Sequence, residues 1–121
     1  MNAQVQTDWD ARNLDHVRQI ARDIEHGLDM EEHHDGYDSD YPDRIMTGFD
    51  YLADALDFEY ILSSDREFKS ARVMVAFGGP TIWIDFERKA VDLYWWGDRA
   101  TAYFNDDAMG VEEALRELFY C

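Results

Sequence analysis

The apolar residues of this chain change their spacing twice, and those changes divide it into helices, then strands, then a helix. From about Asp8, the residues Leu14, Val17, Ile20, Ala21, Ile24 and Leu28 recur at steps of three and four. That spacing places them along one face of an α-helix. Asp15, Arg18, Arg22, Asp23, Glu25 and Asp29 fill the other face, and Gly27 weakens the last turn. A second stripe, Ile45, Met46, Phe49, Leu52, Ala53 and Leu56, predicts another helix with Asp50, Asp54 and Asp57 outward. Pro42 suits its first turn, with Ser39 or Asp40 as the cap. After Asp57 the period becomes two. Strands are predicted at Phe58–Ser63, Phe68–Phe77, Thr81–Phe86 and Val91–Trp96, with Thr101–Phe104 offering a fifth at the edge. The stretches Ser64–Glu67, Gly78-Gly79-Pro80, Glu87–Ala90 and Gly97-Asp98 punctuate them. Period three to four returns at Val111, Ala114, Leu115, Leu118 and Phe119, and Asn105-Asp106-Asp107 offers caps for this last helix. Helices segregated from an antiparallel β-meander make an α+β fold: two N-terminal helices, four or five strands and a C-terminal helix. A length of 121 residues, with 18 aromatics to build a core, predicts one domain over 1–121. Residues 1–7 are expected to fray, and 31–43 to form an acidic loop.

The charge sorts the partners. Asp and Glu number 27 against 11 Lys and Arg, a formal net charge of -16. Such a surface repels phosphate backbones and anionic lipids, so neither nucleic acid nor membrane is an expected direct partner. A basic protein surface is. Excess charge also serves solubility alone. Met1 to Asp43 holds 12 carboxylates and three Arg, and Asp29, Glu31, Glu32, Asp35, Asp38, Asp40 and Asp43 are the densest run. Carboxylates on helix turns repeat about every 5–6 Å. DNA carries a charge per roughly 1.7 Å of its axis. Rows such as Asp50, Asp54 and Asp57 could imitate part of a phosphate row. No apolar run approaches the roughly 20 residues of a membrane span. MNAQVQTDWD has neither the basic nor the apolar segment of a signal peptide. The single Cys121 excludes an internal disulfide framework and fits a reducing compartment, so the cytoplasm is the expected location.

Motifs for catalysis are weak. Phosphate-cradling loops open into a helix N-terminus; Gly78-Gly79-Pro80 lies between two strands and Pro80 removes a donor, so a hairpin connection is expected. Asp85, Glu87 and Lys89, and likewise Glu67-Phe68-Lys69, have the spacing of the acidic-x-Lys element of metal-dependent nucleases. Glu87 and Lys89 fall in a turn, however, and the net charge would repel a nucleic-acid substrate. His26 with His33 or His34 and Asp29 could hold a transition metal, but no compact zinc spacing is present. The 31–43 loop lacks the ligand alternation of an EF-hand. Ser63, Ser64 and Ser70 have no His nearby in sequence. No catalytic residue, metal or cofactor is therefore assigned, and a metal-dependent hydrolase is the weakest reading. The strands are more informative. Trp83, Tyr94 and Trp96 share the parity opposite Ile82, Ile84, Phe86, Val91, Leu93 and Trp95. If the helices cover one face of the sheet, these rings lie on the other, as a contact surface for a partner or for a second copy of the chain.

Phe77 to Asp98, FGGPTIWIDFERKAVDLYWWGD, together with the closing EEALRELFYC, resembles a group of small phage and prophage proteins with a Gly-Gly-Pro turn and a Tyr-Trp-Trp-Gly strand end. The resemblance covers about the C-terminal third and carries no catalytic residue. It implies a phage or mobile-element origin and, through the likeness of small acidic phage proteins to anti-CRISPR and anti-restriction inhibitors, a non-enzymatic inhibitor. The expected partner is the basic nucleic-acid-binding surface of a CRISPR effector or restriction enzyme in the host cytoplasm, engaged in part by DNA mimicry. The alternative is an immunity or antitoxin protein that neutralises a cognate basic nuclease.

Overall fold

The structure, a computed structural model, describes residues 8–29 and 46–121. Its elements are α1 (Asp8–His26), α2 (Gly48–Ala53), β1 (Asp57–Leu62), β2 (Phe68–Ala76), β3 (Thr81–Asp85), β4 (Ala90–Trp95), β5 (Asp98–Tyr103) and α3 (Val111–Tyr120). The five strands form one antiparallel sheet in chain order, β1-β2-β3-β4-β5. This is the α+β meander that the periodicity predicts, with the fifth strand starting three residues earlier than expected. No helix among the described residues is long and apolar enough to cross a membrane.

Register decides what each face presents. Ile84, Val91 and Ala102 align across three strands, as do Ile82, Leu93 and Ala100, and these rows point toward the helices. α1 lies on β4 and β5, while α3 lies on β2 and against α2. Val17, Ile24, Val73, Ile82, Ile84, Val91, Leu93, Val111 and Leu115 are fully buried between the layers. Burial of each contributes about 1.5–3 kcal/mol before chain entropy is counted. The register shift between Ile61 and Leu62 leaves consecutive Ser70 and Ala71 both buried. Ser70 Oγ then donates to Glu112 Oε2 of α3 at 2.5 Å. The Tyr120 hydroxyl accepts from the Phe68 amide at 2.9 Å and donates to Glu67 at 2.5 Å, which ties the end of α3 to the start of β2.

Helix starts follow local chemistry. Thr47, in extended backbone, closes a capping box: its Oγ1 accepts from the Asp50 amide, and Asp50 Oδ2 accepts from the Thr47 amide. A single helix running from Pro42 to Leu56 is therefore corrected, because Thr47 interrupts it; Ser39, Asp40 and Pro42 lie outside the described residues. The short α2 ends at Ala53, so Leu56 falls beyond it and is exposed, and the expected outward row of Asp50, Asp54 and Asp57 is broken: Asp54 is the C-cap and Asp57 opens β1. Phe49 is exposed as well, since Met46 and Leu52 anchor the inward side. Leu118, expected inward on α3, is also partly exposed, two residues before the last of that helix. Asp107 caps α3, its two carboxylate oxygens accepting from the amides of Val111 and Glu112 at 2.9 and 2.8 Å.

Candidate functional site

Among the described residues, no helix covers the second face of the sheet. Its rows are Glu59, Arg72, Asp85, Ala90 and Tyr103; Met74, Trp83, Asp92 and Thr101; and Thr81, Tyr94 and Arg99. Side chains of opposite character meet across these rows. Arg72 lies over the Trp83 ring at 4.4 Å and pairs with Glu59 at 3.5 Å. Arg99 lies over Tyr94 at 5.5 Å. Asp92 is the hub, and it is only 3% exposed although it lies on the uncovered face. Its carboxylate accepts from Arg88 Nη1 at 2.6 Å, Thr101 Oγ1 at 2.7 Å and Arg99 Nη2 at 3.3 Å. Burial pushes the Asp92 carboxyl upward; the bonds from Arg88, Thr101 and Arg99 outweigh it and hold the group below the ordinary carboxylate range. The same bond to Asp92 holds Arg88 further toward its charged form.

The end of the sheet that carries the β2–β3 and β4–β5 turns is aromatic. Trp95 pairs with Asp98, so Trp96 and Gly97 alone form the β4–β5 loop. Both have positive φ, 50° and 83°, the pattern of a type I′ turn. Asn-Gly is the usual choice there, and a bulky residue in that region is uncommon. The Trp96 side chain is 87% exposed. Its ring stands perpendicular to that of Trp95 with centroids 6.0 Å apart. Trp95 is fixed from behind, because its ring lies where a Cβ on Gly79 would sit, at 2.8 Å. Gly79 is thus required for the approach of the two turns. Between them runs an open groove of about 540 Å³, bordered by Gly78, Thr81, Tyr94, Trp95, Trp96 and Asp98. Phe77, 75% exposed, stands at the same end.

Charge is divided between the layers. The helices and their flanking segments, residues 8–29, 46–56 and 104–121, carry 13 carboxylates against four Arg. The sheet and its turns, residues 57–103, carry eight carboxylates against six bases. The helical layer is strongly anionic, and the sheet is close to neutral.

The residues expected at an interface fall in different places. Trp83 and Tyr94 share the uncovered face, as their parity requires, but Arg72 and Arg99 lie over their rings. Trp96 is a correction: it is the first residue of the turn, not part of the strand. Asp29 is exposed, three residues past the end of α1. Glu31, Glu32, Asp35, Asp38, Asp40 and Asp43 lie outside the described residues. The acidic-x-Lys set is built into turns: Asp85 Oδ1 accepts from the amides of Glu87 and Arg88 at 3.0 and 3.1 Å, and Glu87 pairs with Lys69 at 3.1 Å. His26 lies 3.6 Å from Glu25, and His33 and His34 are outside the described residues. Among the described residues no group of three or more His, Cys, Asp or Glu is placed to hold a metal. Phe77, Asp98 and Arg99 carry no motif in the sequence; for all three, the only signal is their position beside a glycine-containing turn. No protein-family model, curated protein or solved structure matches this chain.

Proposed function

We propose that this protein is a non-enzymatic inhibitor of phage type that docks on the basic nucleic-acid-binding surface of a host defence nucleoprotein, a CRISPR effector or a restriction enzyme, in the host cytoplasm. The division of charge carries the reading. An anionic helical layer with 13 carboxylates against four Arg attracts a cationic surface from a distance and competes with phosphate for it. The nearly neutral aromatic end of the sheet supplies the short-range contacts that slow dissociation. Competition with nucleic acid, not turnover of a substrate, is then the mechanism, and the concentration of carboxylates in the helical layer is the ground for partial DNA mimicry.

The test is the efficiency with which a targeted plasmid transforms cells that carry an active CRISPR or restriction system, with and without this protein. The expected result is a rise in at least one system, and purified protein added before DNA should prevent the effector from binding it. Binding to that effector should weaken steeply between low and moderate salt. Unchanged efficiency in every CRISPR and restriction system of the host would overturn the proposal.

A further inference from the structure

We infer that the groove at the aromatic end of the sheet is a receptor for a cationic side chain, an arginine of a partner protein. Trp96 is 87% exposed and its ring meets that of Trp95 at 90°, so the two stand at one corner of the groove. A cation within about 6 Å of such ring centroids is attracted by their negative faces. Tyr94 also borders the groove, with Arg99 lying over its ring. Asp98 adds the charge: its carboxylate makes no ion pair among the described residues. Arg99 borders the groove too, but with Arg88 it is matched by Asp85 and Asp92. A guanidinium entering the groove therefore meets the open ring of Trp96, beside Trp95, and one uncompensated carboxylate.

The same sheet already makes this contact internally twice, Arg72 on Trp83 and Arg99 on Tyr94. Among the described residues no cation lies over Trp96, although the turn holds this ring outward in a backbone conformation that disfavours tryptophan. Gly78 and Gly97, at positive φ and with nothing within 4 Å of an added Cβ, leave the approach open. The net charge of -16 raises the local concentration of cations around the molecule. Planar guanidinium stacks on a ring and reaches a carboxylate at the same time, which a compact ammonium does less well.

The inference takes from the proposed function only the source of the arginine, so its test uses a probe without any partner. N-acetyl-arginine amide is titrated into labelled protein at low ionic strength, with indole and backbone resonances as the readout. N-acetyl-citrulline amide is the neutral control. The expected result is saturable movement at Trp95, Trp96 and Asp98 with arginine and little with citrulline. Trp96→Asn, which suits the turn, and Asp98→Asn should each weaken binding about fivefold or more. Equal response to citrulline, movement confined to the helical layer, or no movement would each overturn the inference. Success here with no effect on host defence would leave the receptor standing and remove the inhibitor reading; the opposite pair of results would do the reverse.

Discussion

Replacing Asp92 with Asn removes one negative charge from the centre of the uncovered face and changes little in shape. The carboxylate accepts from two guanidinia and one hydroxyl, and its side chain is 5% exposed. Charge-assisted hydrogen bonds are worth about 1.5–3 kcal/mol each when their partners are desolvated. Here the arginines keep 43% and 54% of their side-chain exposure, so water screens the pairs and rehydrates both when the charge is lost. Discounting each to about 1 kcal/mol, and leaving the Thr101 bond to the Asn oxygen, gives a loss of about 2 kcal/mol. With an unfolding entropy of about 2.1 cal/mol/K per residue, a chain of this length should lose about 8 °C in Tm. The sign with pH is fixed. The folded pKa lies below the unfolded value of about 3.9, so the contribution is present above that value and is lost as pH falls through the folded pKa. Urea unfolding at pH 7, 5 and 3.5 would show wild type and Asp92→Asn separated by a constant gap at the first two and by a narrower one at the last. A gap under about 0.5 kcal/mol at pH 7, or one that does not narrow in acid, would refute the role given to this carboxylate.

Two further outcomes follow from packing and burial. Gly48 opens α2 directly beneath the Gly110 carbonyl, and a Cβ there would collide with that backbone oxygen. Gly48→Ala should therefore cost about 1–3 kcal/mol in spite of its gain in helix propensity, as read by chemical denaturation. Tyr51 has its phenol pushed well above the ordinary value, first by burial and then by the negative charge of Asp23. The unfolded chain releases that proton near pH 10 while the folded one keeps it, so stability should fall as pH rises above about 10. Tyr51→Phe should flatten that alkaline limb in a pH series of thermal melts.

The meander was legible in the sequence because alternation with period two holds within Ile82–Phe86 and again within Val91–Trp95, and Gly78-Gly79 and Gly97 mark turns beside those strands. What escaped was non-local or depended on backbone sign. Trp96 continues the alternation of Asp92 and Tyr94 on paper, and nothing in its side chain announces a positive φ. Its assignment changes only when the pairing of Trp95 with Asp98 shortens the loop to two residues. Asp92 shares the parity of Trp83 and Tyr94, which by itself predicts exposure; its burial is produced by Arg88 from the preceding turn and by Arg99 and Thr101 from β5. The unequal division of charge between layers was hidden in the overall total. Thr47 and Asp50 spell a capping box that the apolar stripe from Ile45 to Leu56 overrode in the reading.

Because β1, among the described residues, pairs with β2 on one side only, its outer row of amides and carbonyls forms a template for an extended peptide, including another molecule of the same chain. At neutral pH the mutual repulsion of molecules carrying sixteen net negative charges keeps that template from being used. The repulsion vanishes near the isoelectric point of about 4.3. Colloidal behaviour on acidification should therefore fail by sheet-to-sheet association of folded molecules before the fold itself gives way.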